Sequence, residues 1–220
     1  MINNIEIITV NYNTPDLIES LIESVREVEG DYSIRVIDGS DVEPFKTDII
    51  GVCEKKNNVV LEQQGWNIHH GRGLDLGIST SESEWVLLMD SETYIIKPII
   101  GKTFECAIEN NKMIVGDCRY VNSAGMGGVS DYSIQYPYKY YHASYLLFNT
   151  KYYLELKERN AGFIHHGAIG INMTMYLEQH GLADSVGMNI WEYLGINRSN
   201  VGEYFHIGGR GTANRFGYNI

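Results

Sequence analysis

No apolar stretch in this chain approaches the ~20 residues that a membrane-spanning helix needs, so the sequence predicts no membrane span. Basic residues are scarce, with 17 Lys and Arg against 28 Asp and Glu and a net charge of −11. That balance argues against nucleic acid or an anionic membrane as a partner. Cysteine is scarcer still: Cys53, Cys106 and Cys118 are odd in number and lack metal-site spacing. Reduced thiols in a cytoplasm are therefore expected. The start, MINNIEIITV, also lacks the charged opening and small-residue cleavage site of a signal peptide. One further absence bears on chemistry. From Ala161 to Tyr176 there is neither Asp nor Glu.

What is present suits one globular domain over residues 1–220, large enough to bury a sizeable core. Apolar runs at Ile5 to Tyr12, Ser33 to Ile37, Val59 to Leu61 and Trp85 to Met89 predict strands. Between them, Leu17, Leu21, Ile22 and Val25 recur at helical spacing up to Glu29, and Leu74 to Thr80 predicts a second helix. This alternation predicts an α/β fold with a mostly parallel central sheet flanked by helices. Residues 99–220 are less regular. Helices are expected over Lys97 to Asn110, Lys151 to Arg159 and Ile169 to His180, and strands over Met113 to Gly116 and Ser144 to Phe148.

The stretch VLLMDSETYIIKP ends a strand in two carboxylates, Asp90 and Glu92. Strand alternation would aim both the same way, and hard oxygen ligands there suit a divalent cation that also grips phosphates. Asn11, Tyr12, Asp38 and Asp90 all fall at predicted carboxyl ends of strands, where open α/β sheets collect ligands. Asp38 is either a site residue or a turn aspartate bonded to its own backbone.

IITVNYNTP, VIDGSD, HGRGLDLGI and VLLMDSETYIIKP, in that order over residues 5 to 98, resemble the nucleotide-sugar half of family-2 glycosyltransferases of the GT-A type. The third block is similar to the HG-x-GLD branch. The resemblance implies a GT-A-like domain with residues 1–98 as the nucleotide-sugar half and 99–220 as the acceptor half. It implies a nucleoside diphosphate sugar donor, UDP-sugar favoured, and a glycan, lipid-linked or protein acceptor. Thr9, Asn11, Tyr12 and Asp38 would seat the nucleobase. Gly71, Arg72 and Asp75 would lie along the diphosphate, with Arg72 either there or in solvent. Asp90 and Glu92 would hold Mn2+, with Mg2+ the alternative, although glutamate stands where the family usually has aspartate. His206, ahead of the GGRG loop, is either a third ligand or structural.

The family's usual acidic pair at the acceptor helix is missing; His165 and His166 are either the general base or a helix-entry turn, with Asp117 and Asp131 as competitors for the base. The loop from Gly208 to Phe216, with Arg210 and Arg215, either folds over the donor diphosphate or is an ordinary frayed C-terminus. The tyrosines between Tyr132 and Tyr141 either form a sugar-stacking wall or fill half-buried strands. A non-catalytic nucleotide-sugar-binding module and a sugar nucleotidyltransferase remain as alternatives.

Overall fold

The computed structural model describes residues 4–163 and 169–207, the last two as backbone. The chain opens with β1 (Ile5–Asn11), α1 (Pro15–Val28), β2 (Ser33–Asp38), α2 (Phe45–Glu54), β3 (Val59–Gln63), α3 (His70–Thr80) and β4 (Trp85–Met89). It continues through β5 (Thr93–Ile95), α4 (Ile100–Glu109), β6 (Ile114–Val121), β7 (Gly127–Val129), β8 (Tyr138–Asn149) and α5 (Thr150–Glu158). The last described elements are α6 (Ile171–Gln179), α7 (Ala183–Val186), β9 (Gly187–Asn189), α8 (Ile190–Tyr193), a 3-10 turn over Arg198–Glu203 and β10 (Phe205–Ile207).

The main sheet runs β3-β2-β1-β4-β8-β6-β7, with β9 beside β6. The four strands from the first half pair in parallel, whereas β8 is antiparallel to both β4 and β6. β4 is buried at every residue, as a continuous apolar run in a sheet covered on both faces should be. One core packs α1 and α4 against the sheet through Ile18, Leu21, Ile22, Val25 and Cys106. The other packs α3, α5 and α6 through Leu74, Ile78, Tyr153 and Leu177.

Local chemistry explains the starts of two helices. Pro15 opens α1, where its missing N–H costs nothing. The helix expected from Lys97 starts at Ile100 instead, after Pro98. Its first amides are capped from outside: Glu29, just past α1, accepts from the Ile99 N–H and, at 2.8 Å, from the Ile100 N–H. A carboxylate there also suits the positive end of the helix dipole.

Two expectations need correction. The strand expected over Ser144 to Phe148 runs from Tyr138 to Asn149, so much of the tyrosine-rich stretch is strand, cross-paired with β6. Helix α2 was not anticipated, because its hydrophobic periodicity is weak and only Ile49 and Cys53 are buried.

Candidate functional site

The site forms where β1, β2 and β4 end side by side. Asn11 and Asp38 are direct partners across the parallel β1–β2 pair, and both are fully buried. Buried polar groups need partners, and these have them. Asp38 Oδ1 accepts from Asn11 Nδ2 (2.9 Å), from the Ser40 backbone N–H (3.0 Å) and from the Ser40 hydroxyl (2.6 Å). Asn11 Oδ1 accepts in turn from the Thr14 hydroxyl at 2.9 Å. Asp38 Oδ2 has a longer contact, with Gln63 Nε2 at 3.3 Å. Asp38 therefore does bond its own turn, but through one oxygen.

Thr9 is buried, and its hydroxyl finds no hydrogen-bond partner among the described residues. Tyr12 donates its hydroxyl to Asp41 at 3.3 Å. Asn13, next along, holds a left-handed conformation (φ 55°) and binds Ser40 and Asp41, which closes the turn over the network.

Asp90 follows β4 directly. The strand stops at Met89, and the Thr93 N–H bonds the Asp90 carbonyl at 2.9 Å, so residues 90–93 are a turn. Asp90 and Glu92 are thus placed by turn geometry, which corrects the strand alternation expected for them. His70 Nε2 approaches Asp90 Oδ1 at 3.1 Å, an ion-pair distance. The approach is not aligned as a hydrogen bond, and this buried oxygen has no donor. Burial pushes the Asp90 carboxyl up, but His70, His142 and Arg119 outweigh it and hold the group below the usual carboxylate range.

His142, on β8, completes this cluster. Its Nδ1 accepts from the Ser144 N–H at 3.2 Å and shares a 2.7 Å bond with the Ser144 hydroxyl. Burial lowers its pKa, with Asp90 opposing. Neither His70 nor His142 was assigned a role from sequence. The first sits inside the glycine-rich block and the second inside the tyrosine-rich stretch, so the signal was a titratable residue within a motif already noted.

The start of α3 is strained. His69 precedes it at φ 64°, ψ 151°, a region that costs a non-glycine residue ~1–3 kcal/mol and recurs at functional sites. Gly71 is buried and Arg72 exposed in the first turn. Gly73 and Gly77 serve packing: a Cβ at Gly73 would lie 2.7 Å from Val10 Cγ2, and one at Gly77 2.6 Å from Ile8 Cγ2. Asp75 is held by α5, accepting from the Tyr153 hydroxyl and from Lys157 Nζ, both at 2.8 Å. Both its oxygens are thus engaged by α5.

Among the competitors for the base, Asp131 is exposed in a loop. Asp117 is buried and fully committed: Trp191 Nε1 (2.9 Å) and Arg198 donate to Oδ1, and Arg119 Nε (2.8 Å) donates to Oδ2. Burial alone would raise its pKa, but the two guanidinium groups and the indole bond bring it below the usual value. A carboxylate so held is a poor proton acceptor.

His165, His166 and Arg210 lie outside the described residues. The backbone of His206 is described: β10 pairs antiparallel with β5, setting His206 opposite Tyr94 and Ile207 opposite Thr93. The last described strand therefore runs alongside the acid turn. No three His, Cys, Asp or Glu side chains among the described residues already form a metal cluster. The donor types nevertheless fit a divalent cation. Asp90 has a buried oxygen without a hydrogen bond, and Glu92 lies in the same turn.

A family model described as glycosyl transferase family 2 matches residues 6–178. Among solved structures, the mannosyltransferase PcManGT from Pyrobaculum calidifontis, in complex with GDP-Man and Mn2+, superposes with a TM-score of 0.57 at 13% identity. The match covers 78% of this chain and 50% of that one. S. aureus TarS 1-349 in complex with UDP-GlcNAc gives 0.56 at 18% identity, over 79% and 53% of the two chains. This chain spans about half the length of these structures, and at such identities the likeness shows the fold. No curated protein matches significantly. No helix among the described residues is long and apolar enough to cross a membrane.

Proposed function

The chain belongs to glycosyl transferase family 2, and from that premise we propose that it moves a sugar from UDP to a hydroxyl acceptor, metal-dependently and with inversion. The observation that carries this reading is Asp90, a carboxylate with His70 beside it at the sheet edge where the Asp38 network also ends. A carboxylate there suits a cation, which would join the His70 imidazole already 3.1 Å from it.

Asp38 supports uracil as the base. Its Oδ1 already takes three hydrogen bonds, so Oδ2 is the oxygen left for a ligand, once the exposed Gln63 amide gives way. One acceptor oxygen suits the single ring N–H of uracil. Guanine presents two adjacent donors that would match a carboxylate with both oxygens available.

Asp90 and Glu92, with His206 as a third ligand, would hold Mn2+ or Mg2+. When bound, the ion supplies positive charge against the departing diphosphate. Arg72 and Arg210 are assigned to the same charge. The acceptor oxygen attacks the anomeric carbon as its bond to the diphosphate breaks, and the hydroxyl proton passes to His165 or His166. Asp117 is unsuited to that task because two arginines already hold it. The described cysteines, all buried and free, suit the reducing cytoplasm in which we place the protein.

Thermal-shift measurement with UDP, GDP and CDP, each with and without Mn2+, tests the reading. UDP should raise Tm most, and only with the metal. Asp90→Ala and Glu92→Ala should lose the effect while keeping the parent's own Tm within a few degrees. A parent that no nucleoside diphosphate stabilises would overturn it.

A further inference from the structure

Arg119 has no part in the roles assigned so far, yet its position is specific. It lies on β6 with its side chain 24% exposed, and its Nε is fixed 2.8 Å from Asp117 Oδ2. Asp117 is itself anchored by Arg198 and Trp191. Two guanidinium groups thus share one buried carboxylate, and the charge of Arg119 also reaches Asp90. Because the Asp117 bond uses Nε, the terminal nitrogens of Arg119 are the donors left for a ligand.

The sheet order says which ligand. Reading across, the Asp38 end lies on β2, Asp90 follows β4, and β8 and β6 lie beyond. Arg119 is therefore on the opposite side of Asp90 from the nucleobase network. Its cross-strand partner is Tyr140, with Tyr138 opposite Val121 on the same face. The Tyr140 ring meets His142 edge-on at 5.7 Å. The Tyr140 hydroxyl donates to the carbonyl of Ile169, three residues after His166. A partly exposed guanidinium on this strand pair, on the side away from the nucleobase network, is suited to an anionic group.

We propose that Arg119 forms an anion subsite for the acceptor, which is a saccharide or polyol bearing a phosphate or carboxylate near the attacking hydroxyl. This rests on the glycosyltransferase reading and names its acceptor class. Asp117 is the positioning residue that holds the guanidinium in place.

Three small probes decide the matter on the full chain with UDP and Mn2+: methyl glucuronide, glycerol 3-phosphate and methyl glucoside, followed by ligand-observed NMR titration. At least one anionic probe should bind on the order of tenfold tighter than the neutral glucoside. Which of them does so separates a carboxylate from a phosphate source. Arg119→Gln should erase the preference, and Arg119→Lys should keep part of it.

Equal binding of all three probes by the parent overturns the proposal, whether or not the variants fold. So does a preference that survives Arg119→Gln. Failure of the parent to bind UDP would instead sink the function reading. An anion preference that persists without UDP and depends on Arg119 would leave the subsite standing.

Discussion

Asp38 and Asp90 are both carboxylates at strand ends, but their surroundings fit them for different tasks. Asp38 is wrapped by neutral donors from Asn11, Ser40 and Gln63. Asp90 faces imidazoles and a guanidinium and keeps one oxygen unbonded. In the proposed reading, the first would orient an acceptor for a ring N–H and the second would hold an ionised carboxylate for a cation. Asp38→Asn preserves shape and removes the charge. It should raise the Kd for UDP on the order of 10- to 100-fold, the range of a hydrogen bond to a charged group. Calorimetric titration checks this, and an unchanged Kd would leave Asp38 a turn residue only.

Helix α3 shows that a glycine-rich block can do two things at once. Its start, at strained His69 and buried Gly71, faces the site, while Gly73 and Gly77 press the helix onto Val10 and Ile8 of β1. At Gly73 a methyl would meet both Val10 γ-carbons within 2.8 Å, and a β-branched side chain in a strand has little freedom to turn away. Gly73→Ala should therefore cost about 1–3 kcal/mol despite alanine's better helix propensity. A denaturant melt showing no loss would mean that the helix can shift outward. Asp75 ties the same helix to α5. Asp75→Ala should lower stability by about 1–3 kcal/mol by leaving the buried Tyr153 hydroxyl without its acceptor, while Lys157 keeps Ser79. UDP affinity should hold steady, and a large fall in it would return Asp75 to the diphosphate.

At the scale of the molecule, Asp117 joins β6, α8 and the 3-10 turn that leads into β10. It therefore fastens the segment running alongside the acid turn to the main sheet. Removing one partner from a buried ion pair is more damaging than replacing the whole pair. Asp117→Ala should accordingly cost about 3–5 kcal/mol. The same carboxylate gives an acid limit to stability. Its folded pKa lies below the ordinary value of 3.8, so its contribution is complete above the unfolded-state pKa and is lost as pH falls through the lower folded one. Urea melts between pH 5 and 3 should show this decline in the parent. A decline of equal slope in Asp117→Asn would assign it to other carboxylates.

The four blocks of the first half were legible in the sequence because each is local. An apolar run ending in Asn11, Asp38 or Asp90 places that residue at a strand terminus wherever the strand packs, and parallel pairing then brings the termini to one edge. The family and the α/β architecture follow from the same local patterns. Roles that depend on distant partners were not legible. Tyr153 meets Asp75 across 78 positions and Arg198 meets Asp117 across 81, and no spacing rule encodes such meetings. Asp75 and Asp117 read in the sequence as candidate site residues. Only the tertiary structure, by surrounding each carboxylate with specific donors, decided that both are held by the scaffold, while His70, His142 and Arg119 gather around Asp90.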